Sequence, residues 1–121
     1  MTYLVTDDSK LARLSLIKSL KTCEEDAEIF QAENGEVALE ILKKEAIDIV
    51  FLDLTMPVMD GYTTLPLLIE TKENIKVIIV SADVQEQAKL KVLKLGAIKH
   101  VQKPISPEKM KNILEALQRV N

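Results

Sequence analysis

Ile49-Val-Phe-Leu-Asp53 is the stretch that decides how this chain folds. Four apolar residues in succession suit a strand buried on both faces, because a strand with one wet face would alternate. An acid then closes the run. The same grammar recurs on either side. Tyr3-Leu-Val-Thr ends in Asp7-Asp8, Val77-Ile-Ile-Val80 ends in Ser81, and His100-Val-Gln leads into Lys103-Pro104. If these runs are parallel strands of one sheet, their C-terminal ends share an edge. Three carboxylates and one ammonium are then expected to converge there.

The segments between the strands read as helices. Leu11, Leu14, Ile17 and Leu20 recur at helical spacing between residue 9 and about residue 23. A strand-like stretch follows at 27–32. Asn34-Gly35 opens a helix whose Val37, Ala38, Ile41 and Leu42 share a face, with Asn34 as its N-cap. A loop over 55–61 leads into a helix ending near Lys72. Pro66 is a misfit there: either the helix starts near Leu65 with proline in its first turn, or it bends at the proline. Asp83-Val-Gln-Glu86 reads as a variant capping box opening a helix that Gly96 closes. Ser106-Pro107 reads as an N-cap with proline at the first helical position. Met110, Ile113, Leu114, Leu117 and Val120 then face the core.

Five strands and five helices in strict alternation predict an α/β fold, a flavodoxin-like doubly wound parallel sheet. The runs around Val50 and Ile79 suit central strands. Glu28-Ile-Phe-Gln31 and Lys99-His-Val-Gln102 carry polar positions, as edge strands do, which gives the order 2-1-3-4-5. The ligand is then expected between strands one and three at their C-terminal ends, where Asp7, Asp8 and Asp53 lie.

The bulk properties narrow the rest. At 121 residues, 47% hydrophobic and 29% charged, residues 1–121 are expected to form a single globular domain without an output domain. A net charge of −3 makes no case for nucleic acid or an anionic membrane as a direct partner. Cys23 stands alone, which rules out an intrachain disulfide. No apolar run approaches the ~20 residues of a membrane span, and no basic leader precedes the first strand, so the expected location is cytoplasmic.

Each candidate residue has an ordinary alternative. Asp7-Asp8 could simply cap a helix, a role Ser9 could share. Asp53 alters that balance, since three acids at one edge repel one another unless a cation intervenes. Mg²⁺ takes carboxylates, waters and phosphate oxygens, and suits such a set. A positioned carboxylate can also act as a nucleophile toward phosphorus, which makes Asp53 the candidate acceptor. Lys103 could be a solvated lysine before a turn; beside the acids it becomes a point charge for a phosphoryl group. Ser81 could serve local backbone groups or bond a phosphoryl oxygen. His100 could be a bystander or part of a switch beside the Ser81 loop. Lys89, Lys91, Lys94 and Lys99 read as a solvated face, and Cys23 receives no role.

At these motifs the chain resembles the receiver domains of two-component response regulators, close to the stand-alone chemotaxis regulator. Asp7-Asp8, Asp53-Leu-Thr-Met-Pro57, Met59-Asp-Gly61, Val80-Ser-Ala82, Gly96-Ala97 and Lys103-Pro104 carry the resemblance. Val80-Ser-Ala82 and Pro57-Val-Met-Asp-Gly-Tyr62 also resemble receivers joined to chemotaxis phosphatase domains. The resemblance implies that Asp53 accepts phosphate from a histidine kinase. It implies Mg²⁺ bound by Asp8, Asp53 and the main-chain carbonyl of Thr55, with Asp7 acting through water. Lys103 and Ser81 would contact the phosphoryl group, His100 would hold the aromatic switch position, and Pro57 and Gly61 would shape the loop. Output would use the face of the fourth helix, fifth strand and fifth helix, toward a chemotaxis or flagellar partner, with the chain monomeric or dimerising on phosphorylation. The other readings are a receiver cut from a longer chemotaxis or phosphatase-linked regulator, and a phosphohydrolase, which the shortage of a further acid disfavours. Two departures stand out. His100 replaces the usual tyrosine or phenylalanine, and Pro66 interrupts the third helix.

Overall fold

The computed structural model describes residues 1–83 and 85–119. Their elements are β1 (Thr2–Thr6), α1 (Lys10–Cys23), β2 (Glu28–Ala32), α2 (Gly35–Lys44), β3 (Ile49–Leu52), α3 (Gly61–Thr71), β4 (Lys76–Ser81), α4 (Glu86–Lys94), β5 (Lys99–Gln102) and α5 (Pro107–Arg119). The strands form one parallel sheet in the order β2-β1-β3-β4-β5, as the apolarity of the strands predicts. β3 is buried at every position, whereas β2 exposes Glu28 and Gln31 and β5 exposes Lys99 and Gln102.

Alternation along each strand splits the core in two. Leu4, Val50, Leu52, Val77 and Ile79 pack with Ala38, Leu42, Leu65, Leu68 and Val92 on the α2–α3–α4 face. Tyr3, Val5, Ile49, Phe51, Ile78 and Val80 pack with Leu16, Leu20, Met110, Ile113 and Leu117 on the α1–α5 face. Burying each such side chain contributes about 1.5–3 kcal/mol, and these two layers hold the strand ends in register. Met110, Ile113 and Leu117 are buried and Leu114 packs against them, as expected; Val120 lies outside the described residues.

Helix starts follow local chemistry. Ser9, Asn34, Asp60 and Ser106 accept from backbone N–H groups of Ala12, Val37, Thr63 and Lys109. Gly96 ends α4 at φ +112°, with its own N–H bonded to Leu93 and that of Ala97 to Val92, a Schellman closure.

Two expectations need correction, on α1 and at Asp83, and two are sharpened, at α3 and Lys91. On α1 the buried residues are Leu16, Ser19 and Leu20, while Leu11 is 81% and Leu14 45% exposed. Both sets keep helical spacing, and only the direction of the α5 neighbour decides which is inside. α3 begins at Gly61 rather than near Leu65, because Asp60 caps it and Gly61 donates to the Leu54 carbonyl at 2.9 Å; Pro66 therefore lies inside the helix. Asp83 does not cap α4. Its Oδ1 accepts from Gln85 at 2.9 Å, two residues on, which makes an Asx turn before a helix with no side-chain cap. Lys91 is exposed, as expected of that face, and its Nζ also sits 4.3 Å from the centre of the Tyr62 ring.

Candidate functional site: an acidic edge bridged by a lysine

Register builds the site. Residue 6 of β1 lies beside residue 52 of β3, so Asp7 and Asp53 follow their strands at the same height. The Asp7 N–H extends the ladder to Ala32, and that of Asp53 extends it to Thr6. Across the sheet Ser81 pairs with Gln102, and the Lys103 N–H bonds the Ser81 carbonyl at 2.9 Å. Four functional side chains thus leave the sheet at one edge because each is the last residue of its strand or the first one beyond it.

One carboxylate oxygen from each of Asp7, Asp8 and Asp53 lies within 4.8 Å of the others, with Asp8 exposed and the other two buried. Lys103 bridges the buried pair, its Nζ 2.6 Å from Asp7 Oδ2 and 3.3 Å from Asp53 Oδ1. Its stem borders a cavity of about 80 Å³ lined by Val5, Leu16, Phe51, Val80 and Ile105. Asp7 Oδ1 accepts from the Ser9 N–H and Asp53 Oδ1 from the Leu54 N–H, both at 2.9 Å. The Lys103–Pro104 bond is cis.

The electrostatics are unbalanced. Burial, then the Asp7 charge, push the Asp53 carboxyl above its ordinary value against the opposing pull of Lys103. For Lys103 burial disfavours the charged form, but the hydrogen bond to Asp7 and the charges of Asp53 and Asp7 outweigh it and raise its pKa. One ammonium against three carboxylates leaves two negative charges unanswered. Hard oxygen donors at this spacing, with a charge deficit of two, fit a divalent cation such as Mg²⁺.

The edge also gathers residues beyond the acids. Ser81 is buried and its Oγ accepts from the Asp83 N–H at 3.0 Å. Thr55 is exposed in the loop after β3. Gly61 lets α3 approach that loop: a Cβ there would fall on the Asp53 carbonyl oxygen and 2.7 Å from Leu54 Cα. His100 pairs with Ile79 on the α4 face of the sheet, half-buried, with a buried Nε2 that has no hydrogen-bond partner among the described residues. Cys23 closes α1, next to the Pro107 carbonyl and remote in sequence and register from these ends. Sequence reasoning missed Arg13, whose Nη1 donates to the Asp7 carbonyl at 2.6 Å. An arginine in a helix reads as solvated, and no spacing rule announces a bond to a strand end.

A doubly wound five-stranded sheet with an aspartate pair after β1, an aspartate after β3 and a lysine after β5 defines a signalling domain of the receiver type. The chain belongs to the response regulator receiver domain family, whose model matches residues 3–115. The chemotaxis protein CheY of Thermotoga maritima is 31% identical over 118 residues, covering 98% of this chain and 95% of that protein. A protein-glutamate methylesterase/protein-glutamine glutaminase of Rhodospirillum centenum is 31% identical over 109 residues, 88% of this chain. The chain spans only 28% of that protein's length. Among solved structures, the response regulator domain of Thermotoga maritima CheB superposes with a TM-score of 0.82 at 26% identity, covering 98% of this chain and 94% of that one. Receiver domains bind Mg²⁺ at an aspartate cluster, and Asp7, Asp8 and Asp53 form such a cluster here. Family members act between histidine kinases and outputs, and some relatives carry the receiver within an enzyme. No helix among the described residues is long and apolar enough to cross a membrane.

Proposed function

We propose that this chain is a phospho-accepting switch in which Asp53 takes a phosphoryl group from a histidine kinase. The observation that carries the reading is the convergence of three carboxylates, one of them Asp53, on a single lysine at the sheet edge. An Asp53 oxygen attacks phosphorus. The new O–P bond forms as the N–P bond of the phosphohistidine breaks, and the imidazole leaves with the electron pair. Asp8, Asp53 and the Thr55 carbonyl would hold Mg²⁺, with Asp7 assisting, and the ion would supply positive charge to the transferring oxygens. Lys103 supplies the other compensating charge from an ammonium already held against Asp7 and Asp53.

Transmission follows from the hydrogen bonds after β4. The Ser81 hydroxyl accepts from Asp83 and keeps its own proton free to donate to a phosphoryl oxygen. Asp83 in turn holds Gln85, the residue before α4. A shift of Ser81 toward the phosphoryl group therefore pulls on a helix start that lacks a side-chain cap. His100, beside Ile79 on the face that α4 covers, would follow that movement. The output surface is the α4–β5–α5 face, where Leu90, Leu93 and Ile98 stand 50%, 39% and 40% exposed. Its partner is of the chemotaxis kind, in keeping with the relatives, and is either a separate protein or an enzyme domain joined to the receiver.

A small acyl phosphate with Mg²⁺ should add one phosphoryl group, mapped to Asp53 by peptide mass. Asp53→Asn protein should take none; equal labelling of that variant refutes the assignment.

A further inference from the structure

Arg13 leaves the second turn of α1 and reaches back to the strand ends. Its Nη1 donates to the Asp7 carbonyl at 2.6 Å, and its Nε donates to Gln31 Oε1 on β2 at 3.0 Å. The side chain is half-buried. We propose that Arg13 is a positioning residue of the divalent-ion site, holding the Asp7–Asp8 peptide so that the Asp8 carboxylate stays among those of Asp7 and Asp53. This rests on reading the aspartate cluster as an Mg²⁺ site.

The Asp7 N–H is the last bond from β1 to β2, and the Thr6 carbonyl receives the last bond from β3. The Asp7 carbonyl lies one step past both ladders, so Arg13 provides what a strand otherwise would. A peptide is planar, and fixing its oxygen fixes the following N–H and Cα. That Cα belongs to Asp8, which is exposed. On the far side the Ser9 N–H is bonded to Asp7 Oδ1, so the turn is held at both ends. Gln31 in turn fixes the plane of the guanidinium, which limits the directions its fork can take.

The choice of partner matters. Arg13 bonds a carbonyl, whereas Lys103 occupies a carboxylate oxygen of Asp7. Arg13 therefore orders the turn without consuming a ligand atom. Groups that orient metal ligands in this way typically cost about 10–100-fold in metal affinity when removed.

The test separates positioning from charge and from simple packing. Mg²⁺ binding is measured by calorimetry, and thermal unfolding is measured in chelator, for the unaltered chain, Arg13→Ala, Arg13→Lys, Gln31→Ala and Asp8→Asn. Removing a cation near three acids would by charge alone tighten Mg²⁺ binding. Loss of positioning instead weakens it, roughly tenfold or more for Arg13→Ala. Arg13→Lys, which keeps a charge and a donor nitrogen but not the guanidinium fork, should recover part of the loss, and Gln31→Ala should fall between. Affinity that is unchanged or tighter in Arg13→Ala, while Asp8→Asn loses binding, overturns the positioning role and leaves the metal site standing. If Arg13→Ala does not fold, unchanged affinity in both Arg13→Lys and Gln31→Ala has the same force. An unaltered chain that takes up no Mg²⁺ overturns the site and the role together.

Discussion

The fold penalises the charge of Asp53. Burial and the neighbouring Asp7 raise its pKa despite Lys103, so the charged carboxylate is less favoured here than in water. Asparagine keeps an acceptor for the Leu54 N–H and removes the charge. Asp53→Asn should therefore raise the unfolding midpoint of the metal-free protein, seen by circular dichroism in chelator. A lower midpoint would mean that the Lys103 contact outweighs burial and repulsion. The acids and the lysine were legible in the sequence because each terminates a strand, and a parallel sheet puts such residues on one edge. Arg13 was not, because its target is a backbone carbonyl that any residue at position 7 would offer.

Among the elements, α3 shows where local signals mislead. A proline early in a helix is commonplace, which made a start near Leu65 attractive. The close fit of Gly61 against the loop after β3 and the Asp60 cap overrule it and leave Pro66 inside the helix. There the ring denies the Tyr62 carbonyl its partner. Pro66→Ala restores that bond, a gain of up to about 3 kcal/mol, less about 1 kcal/mol for the freer unfolded chain, and should raise stability by about 2 kcal/mol in urea unfolding. No gain would show that the helix has adapted fully to the ring. The α1 face was misread for a different reason. Leu11 and Leu14 have the right period, but periodicity names a face without saying what covers it. The Asp83 signal failed because aspartate serves an Asx turn as readily as a cap.

For the whole molecule the order of strands was readable, since central strands must be apolar on both faces and edges need not be. The same packing gives the molecule an alkaline limit. Tyr3 stacks on Phe51 in the α1–α5 core layer, and its hydroxyl donates to Glu24. Burial first, then that hydrogen bond and the Glu24 charge, raise the phenol well above its ordinary value of 10.0. A raised pKa stabilises the fold fully below the unfolded value, and the contribution is lost as pH climbs through the folded one. Stability should therefore fall above about pH 10. Tyr3→Phe should cost about 1 kcal/mol at neutral pH and flatten the decline, as followed by denaturant midpoints across that range. An equally steep decline in the variant would place the alkaline limit elsewhere.

Every role assigned to the acidic edge depends on a divalent ion among Asp7, Asp8 and Asp53. Mn²⁺ can replace Mg²⁺ as a paramagnetic reporter in amide NMR spectra. At substoichiometric Mn²⁺ the signals of Asp7, Asp8, Asp53, Leu54 and Thr55 should broaden first, and excess Mg²⁺ should restore them. Broadening that begins elsewhere, or that Mg²⁺ does not reverse, contradicts the site.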